Sequence, residues 1–162
     1  MRAGVRLGVD VGSVRVGVAR SDPAGILATP LTTLTRDRAG DDDLRRLAEA
    51  VSEHEAIEVV VGLPRSLSGA DSASTQSARR YAQQLADRIF PATVRLLDER
   101  LTTIDAQRVL HDAGRSVKSS RAVIDQVAAV LILQAALDLE RSGSRPPGEA
   151  VRTTESSGGR QA

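Results

Sequence analysis

Three strand patterns in succession constrain the fold of this chain more than any other feature. Residues 5–10 and 14–21 alternate apolar with small or polar side chains, and a turn signal at Pro23 follows the second pattern. A third pattern spans residues 26–34, and Pro30 within it favours the edge of a sheet. Because short turns join antiparallel neighbours, we predict that the chain opens with a three-stranded antiparallel meander.

Helix and strand patterns alternate after the meander. A β-branched run at residues 57–61 is typical of a buried strand, and a fifth strand is predicted at residues 93–97. The element order βββαβαβαα predicts an α/β fold, with a mixed five-stranded sheet (three antiparallel strands, then βαβ units) and helices on both faces. The first predicted helix begins near Asp41, and the other three cover residues 71–90, 102–113 and 122–140.

The length of 162 residues corresponds to one domain, for which we predict the bounds 1–141. Residues 142–162 are rich in Gly, Pro and Ser and lack aliphatic periodicity, so we predict a disordered C-terminal tail there. No stretch approaches 18 apolar residues, and the N-terminus has no signal-like run. We therefore expect a cytoplasmic protein that does not contact a membrane.

Composition excludes several kinds of site. The chain has no Cys and only two His, which excludes thiolate chemistry and argues against a His-rich zinc site. One Tyr and one Phe are too few for a platform that stacks single-stranded bases. The net charge of +1 means that a nucleic-acid surface must come from local placement of charge. Carboxylates are plentiful, which points any metal chemistry toward hard cations.

Asp10 ends a strand that is otherwise mostly apolar, where a carboxylate is costly unless it is paired or binds a metal. The nearby glycines Gly8, Gly12 and Gly17 leave room for another group to approach the backbone closely. The alternative is that Asp10 only caps a turn.

Two further carboxylates occupy positions that indicate function. Glu99 follows the fifth predicted strand, at the kind of strand end where open α/β sheets bind ligands, although its neighbour Asp98 equally fits a solvated loop. Asp125 faces an apolar stripe in a helix that carries no other charge between Arg121 and Asp138. The alternative for Asp125 is a first-turn aspartate that the helix dipole favours.

Asp10, Glu99 and Asp125 together suggest one site. Their separation in the sequence excludes a local metal loop, so they meet only if the fold brings two neighbouring strands and a helix together. Three carboxylates without a histidine suit Mg²⁺ or Mn²⁺, and such ions support phosphodiester hydrolysis by activating water. We therefore predict that these three residues bind the metal and carry the catalysis.

Four sequence blocks resemble the motifs of the YqgF/RuvX family and occur in that family's order. They are GVDVGSVRVGVARSD at 8–22, VGLPRSLSG at 61–69, DERLTT at 98–103 and DQVAAVLILQAAL at 125–137. The resemblance implies an RNase H-like fold and an activity described as pre-16S rRNA nuclease, formerly as Holliday junction resolvase. It also implies that Asp10, Glu99 and Asp125 form the acidic metal-binding set. Ser68 stands where the family often has an acidic residue, so we assign no catalytic role to that loop.

Six residues are predicted to contact a nucleic-acid backbone. Arg100 can pair with a phosphate, or alternatively with Asp98 in a salt bridge. The loop after the fourth strand can meet a phosphate or be an ordinary polar loop, and the basic cluster before the last helix can guide a backbone or be a solvated loop. The six residues are Arg65, Ser66, Arg100, Arg115, Lys118 and Arg121.

The leading functional hypothesis is a metal-dependent endonuclease, monomeric or homodimeric, whose substrate, by resemblance, is the 5′ end of precursor 16S rRNA. A Holliday junction resolvase is the alternative and requires a dimer with two sites. An actin-like ATPase shares the D-x-G hairpin but needs two such domains. A non-catalytic RNA-binding regulator has no need of three carboxylates in apolar surroundings.

Overall fold

We describe a computed structural model that covers residues 1–66, 68–102 and 121–154, with the backbone alone for residues 121–123. The strands are β1 (Arg6–Val11), β2 (Arg15–Ser21), β3 (Ala28–Thr35), β4 (Glu58–Leu63), β5 (Thr93–Asp98) and β6 (Glu149–Val151). The helices are α1 (Asp42–Glu53), α2 (Ala73–Ile89) and α3 (Arg121–Gly143), and a 3-10 turn spans Glu99–Leu101.

The described strands form one mixed sheet in the order β3-β2-β1-β4-β5-β6. The predicted meander is confirmed, because β1 pairs antiparallel with β2 and β2 with β3. β3 lies at the edge of the sheet, as Pro30 predicted. β1, β4 and β5 run parallel, and the chain between them crosses through α1 and α2.

Helices cover both faces of the sheet, as predicted. Alternate residues of β1 and β4, such as Leu7 and Val61, pack with α1 and α2 in one buried cluster. Residues that point the other way, such as Val60, pack with α3 in a second cluster that includes Ala129 and Leu133. The two clusters exist because successive strand residues point to opposite faces. In the described residues, no helix is long and apolar enough to cross a membrane.

A buried ion-pair network ties the end of α3 to the starts of β1 and β4. Nε of Arg2 lies 2.8 Å from Glu140, and its Nη2 lies 3.0 Å from Glu58. The buried Arg6 guanidinium lies 3.3 Å from Glu140, and Arg2 holds the pKa of Glu140 below its usual value. This network holds the last turns of α3 beside the starts of β1 and β4. The helix therefore begins toward the other end of these strands, where β1 ends.

The sheet has six strands rather than the predicted five, and the additional strand belongs to the segment that we predicted to be disordered. β6 pairs antiparallel with β5, Val94 opposite Val151, and the Arg95 guanidinium donates to the carbonyls of Pro147 and Gly148. The tail prediction is therefore wrong for residues 149–151. A three-residue strand has no periodicity of its own, and it forms here because β5 would otherwise present unpaired backbone groups.

Several predicted features lie outside the described residues. The helix predicted at residues 102–113 lies outside them from residue 103 onward, and so do Arg115 and Lys118. Residues 155–162 of the predicted tail also lie outside. Arg121 is described only as the first residue of the α3 backbone.

Candidate active site

Asp10 lies near the end of β1 and has a glycine on each side of it in the sheet. Gly17 of β2 is its cross-strand partner. On the other side, Val9 pairs with Val61 of β4, so the next residue, Gly62, lies beside Asp10. Because neither neighbour has a side chain, the space on both sides of the Asp10 carboxylate is open to groups from elsewhere in the fold.

Asp125 occupies the space over Gly17. A Cβ on Gly17 would collide with the backbone carbonyl of Asp125 and would lie 3.1 Å from the Asp125 Cβ. The start of α3 therefore rests directly on the backbone of β2 through Asp125, at the residue opposite Asp10. This close approach brings the Asp10 and Asp125 carboxylates near enough for the charge of one to affect the other.

Glu99 occupies the space over Gly62. It is the first residue of the 3-10 turn that follows β5, and its Oε1 would lie 2.7 Å from a Cβ placed on Gly62. The side chain therefore reaches back over β4 toward β1, where the charge of Asp10 acts on it. Asp10 lies on a strand, Glu99 follows a strand and Asp125 lies on a helix. Their carboxylates thus come to the same end of the sheet, where β1 and β5 end.

Burial and mutual repulsion weaken two of these acids. Burial, followed by the charge of Asp125, raises the pKa of Asp10 to about 6. Burial, followed by the charges of Asp10 and Asp98, raises the pKa of Glu99 to about 7. Both effects disfavour the ionised form, and both are relieved by a cation that binds between the carboxylates.

Arg15 neutralises the third acid. Its Nε donates to Oδ2 of Asp125 across 2.9 Å, and both side chains are partly exposed. No local pattern distinguishes Arg15 from ordinary surface charge. It is the first residue of β2, and only the packing of α3 onto that strand brings its guanidinium to Asp125.

The acidic cluster is not a ready-made coordination sphere. Within the described part of the chain, no three His, Cys, Asp or Glu side chains lie close enough to hold a metal ion as they stand. Asp10 nevertheless interacts with both Asp125 and Glu99, and all three groups supply the oxygen ligands that Mg²⁺ and Mn²⁺ prefer.

The loop after β4 lies near the end of β5. The hydrogen bond that Arg100 donates lowers the pKa of Asp98, and the charge of Arg65 adds a smaller effect in the same direction. Nε of Arg65 is buried without a hydrogen bond, and Oδ1 of Asp71 lies 3.6 Å from it. Ser66 is exposed, and its Oγ accepts from the Ala70 amide across 3.1 Å.

Arg100 takes the salt-bridge alternative in this structure. Its guanidinium lies 2.6 Å from Oδ2 of Asp98, whose other oxygen accepts from the Arg100 amide across 2.9 Å. The guanidinium also lies against Gly69, which joins it to the loop that carries Arg65. Arg100 is exposed, so a phosphate can reach it without disturbing the core.

The described site combines three partly buried carboxylates with arginines at the end of the sheet where β1 and β5 end. Carboxylates attract a divalent cation, and guanidinium groups attract phosphate oxygens. The arrangement therefore suits a reaction at a phosphodiester, in which charge on the attacking and leaving oxygens must be stabilised.

Relatives match this chain over almost its full length. It is 52% identical over 159 residues to a protein of Nocardioides sp., covering 95% of this chain and 100% of that protein. It is 58% identical over 147 residues to a protein of Mycobacterium ulcerans, covering 90% of this chain and 86% of that protein. Both relatives carry the name "Putative pre-16S rRNA nuclease".

Two solved structures have a similar fold. One is RuvC of Thermus thermophilus in complex with a Holliday junction substrate, with a TM-score of 0.58 and 13% identity. The other is a second structure of Thermus thermophilus RuvC, with a TM-score of 0.60 and 12% identity. Each covers 91% of this chain and 99% of that chain. At this identity the likeness concerns the fold alone, and it confirms the predicted RNase H-like α/β architecture.

A family model matches residues 4–139, and its description reads "RuvX: Holliday junction resolvase". The match takes in all six residues whose geometry defines the acidic site, which are Asp10, Arg15, Gly17, Gly62, Glu99 and Asp125. The chain belongs to the RuvX family.

Proposed function

We propose that this chain is a metal-dependent endonuclease that hydrolyses phosphodiester bonds at the 5′ end of precursor 16S rRNA. The observation that carries the proposal is the position of Asp10 between two glycines, one of which admits Asp125 and the other Glu99. The names of relatives that share more than half of their residues with this chain support the choice of substrate. A cytoplasmic location belongs to the same proposal.

Asp10, Glu99 and Asp125 are the residues that would hold Mg²⁺ or Mn²⁺. The donor set fits such a cation, because three partly buried carboxylates supply oxygen ligands, and Asp10 interacts electrostatically with both of the others. A bound cation would activate water and offset charge on the leaving oxygen. Arg15 would compete with it for Asp125, since the guanidinium already pairs with Oδ2 of that carboxylate.

The remaining polar residues would bind and orient the nucleic acid. Arg65 and Arg100 lie where β4 and β5 end, at the edge that carries Glu99. A phosphate that competes with Asp98 for the Arg100 guanidinium would be held beside the acidic site. Ser66, Arg115, Lys118 and Arg121 complete the proposed backbone contacts.

A Holliday junction resolvase is the second candidate. The family model carries that description, and one of the similar solved structures is a complex with a junction. A resolvase must cut two strands symmetrically, so this function requires two copies of the chain, each with its own acidic site. The pre-rRNA reaction requires one site.

The two candidates are separated by cleavage of a 5′-extended 16S precursor beside a four-way DNA junction, in Mg²⁺, Mn²⁺ or EDTA. We expect cleavage of the RNA alone, abolished by EDTA. Symmetric nicking of the junction would select the resolvase instead. Binding of RNA without cleavage in either metal would overturn both and leave a non-catalytic RNA-binding protein.

A further inference from the structure

A cationic depression lies at the same end of β1 as Asp10, but on the opposite face of the sheet. It has a volume of about 380 Å³ and lies between the turn that joins β1 to β2 and the start of α2. None of the described residues that line it is acidic. Its polar lining consists of Ser13, Arg38, Ser74, Gln76, Ser77 and Arg80, and we call this depression the turn groove.

The two arginines of the turn groove keep their charge available. Arg38 and Arg80 are exposed, and neither forms an ion pair with any carboxylate in the described ranges. The nearest acids on the adjoining segment are already engaged. Asp43 accepts from Tyr81 across 3.0 Å and lies 3.8 Å from Arg36.

Two further acids beside the turn groove accept hydrogen bonds from other groups. Oδ2 of Asp41 accepts from Arg88 across 3.2 Å. The carboxylate of Asp37 accepts from the amides of Gly40 and Asp42, across 2.9 and 3.2 Å. These carboxylates line the neighbouring depression with Arg38 and Arg80, whereas none of them lines the turn groove.

The turn groove is joined rigidly to the strand that carries Asp10. Val11, which follows Asp10, lines the groove and packs into the core on the face of α1 and α2. Arg36 donates to the Gly12 carbonyl across 2.9 Å, and Arg38 donates to the Ser13 carbonyl across 3.3 Å. The groove and the acidic site thus involve consecutive residues of β1, Val11 and Asp10, and they lie on opposite faces of its end.

The turn groove borders a depression of mixed charge. Arg38 and Arg80 also line that depression, which has a volume of about 140 Å³, together with one more arginine and three carboxylates, Arg36, Asp37, Asp41 and Asp43. The cationic part of this surface is therefore the turn groove itself, where two guanidinium groups line one concavity and none of the described lining residues is acidic. Two such groups fit phosphates of a nucleic-acid backbone.

We propose that the turn groove binds a second segment of the nucleic-acid backbone, so that the substrate crosses the end of β1 on its way to the acidic site. The inference rests on the proposed function and adds to it a surface on the other face of the sheet. Arg38 and Arg80 would hold phosphate oxygens, and the serine hydroxyls and the Gln76 amide would add neutral hydrogen bonds. These residues bind substrate and do not touch the scissile phosphate.

The test compares two double variants that lose the same charge. Arg38→Gln with Arg80→Gln empties the groove of cations. Arg20→Gln with Arg145→Gln removes two exposed arginines that line neither depression and form no ion pair among the described residues. The dissociation constant of the full-length protein for the 5′-extended 16S precursor is measured in EDTA from 0.05 to 0.3 M salt.

We expect the groove variant to bind about tenfold more weakly or worse at 0.1 M salt, with the slope of log K against log salt reduced by about 1.4–1.8, as for two lost phosphate contacts. The control variant should keep the wild-type slope, and both should keep the wild-type melting temperature. In Mg²⁺, the groove variant should raise KM and leave kcat unchanged.

Equal slopes for the groove and control variants would overturn the inference while leaving the nuclease proposal intact. If the wild type binds and cuts only the DNA junction, the same comparison is made on the junction. If the wild type binds neither nucleic acid, both the inference and the proposed function are wrong.

Discussion

The Nε atom of Arg15 donates to Oδ2 of Asp125 across 2.9 Å, so the first residue of β2 supplies the counter-charge for a carboxylate on the first turns of α3. Asp125 in turn raises the pKa of Asp10, which lies opposite Gly17 on the neighbouring strand. One arginine thus shields one member of an acidic cluster whose other two members have no such partner among the described residues.

Arg15→Gln should increase the affinity of the protein for Mn²⁺ in the absence of nucleic acid. A cation at Asp125 then no longer competes with the guanidinium, and one unit charge at about 4 Å is worth about 1 kcal/mol in water, or about fivefold in affinity. Stability should fall by less than about 1 kcal/mol, since the ion pair is partly exposed. Calorimetric titration with Mn²⁺ measures the affinity, and Arg20→Gln on the same strand is the control. Unchanged or weaker Mn²⁺ binding would show that Arg15 does not compete for the site.

Asp125→Asn should abolish cleavage while the protein stays folded. The amide is nearly isosteric but lacks the charge that attracts a divalent cation. Removing that charge also relieves the repulsion that raises the pKa of Asp10, so that pKa should fall from its value of about 6. Cleavage in Mg²⁺, thermal unfolding in EDTA and NMR titration of Asp10 are measured together. Asp138→Asn, an exposed change on the same helix, should alter none of them. An Asp125→Asn protein that cuts at the wild-type rate would remove Asp125 from the site.

Stability without metal should depend on pH through Glu99. Its pKa of about 7 in the folded protein exceeds the unfolded value of 4.5, so its contribution is fully present below pH 4.5 and is lost as the pH rises through 7. Glu99→Gln, which cannot ionise, should therefore be more stable than wild type by about 1–3 kcal/mol at pH 8 and equally stable near pH 4.

Urea unfolding in EDTA at pH 4, 6 and 8 measures this difference. Adding Mg²⁺ at pH 8 should raise the melting temperature of the wild type more than that of Glu99→Gln, because the wild type retains the carboxylate that a cation needs. A difference in stability that is the same at all three pH values would show that Glu99 is not the titrating group.

Gly17→Ala should destabilise the protein and separate Asp125 from Asp10. The added methyl group collides with the backbone of α3, which cannot rotate away as a side chain can. We expect a loss of about 1–3 kcal/mol in the free energy of unfolding, a lower pKa of Asp10 and reduced cleavage. Gly143→Ala is the control, since a Cβ there meets nothing within 4 Å. A wild-type pKa of Asp10 in the Gly17→Ala protein would mean that α3 does not depend on this contact for its position.

Ending the chain after Gly143 should lower the melting temperature by several degrees. The truncation removes β6, uncovers the edge of β5 and leaves Arg95 without the carbonyls of Pro147 and Gly148. We expect a loss of about 1–3 kcal/mol in the free energy of unfolding. Each kcal/mol lowers the melting temperature by roughly 2–4 °C in a chain of this size. A chain that ends at Thr154 retains β6 and is the control for differential scanning calorimetry. Equal melting temperatures of the two truncated chains would show that β6 contributes nothing to stability.

Local patterns in the sequence were sufficient for most of the architecture. The alternation of β1 and β2, the apolar run of β4 and the long, largely apolar stretch of α3 each extend over several residues, so each could be predicted without knowledge of its neighbours. The same patterns identified Asp10, Glu99 and Asp125 as carboxylates in settings that a core or a strand end does not usually contain. Whether these three residues act together in catalysis stays a prediction that the experiments above test.

The tertiary structure decided which groups meet. No local pattern places Gly62 beside Asp10 or Arg15 against Asp125, because strand register and the approach of α3 depend on packing between residues far apart in the sequence. β6 likewise exists only because β5 offers it an edge, and three residues carry too little apolar surface to specify a strand alone. The sequence by itself determined the strands and helices and the positions of the three acids along the chain. The packing of apolar residues that lie far apart in the sequence determined which of these residues come together in the site.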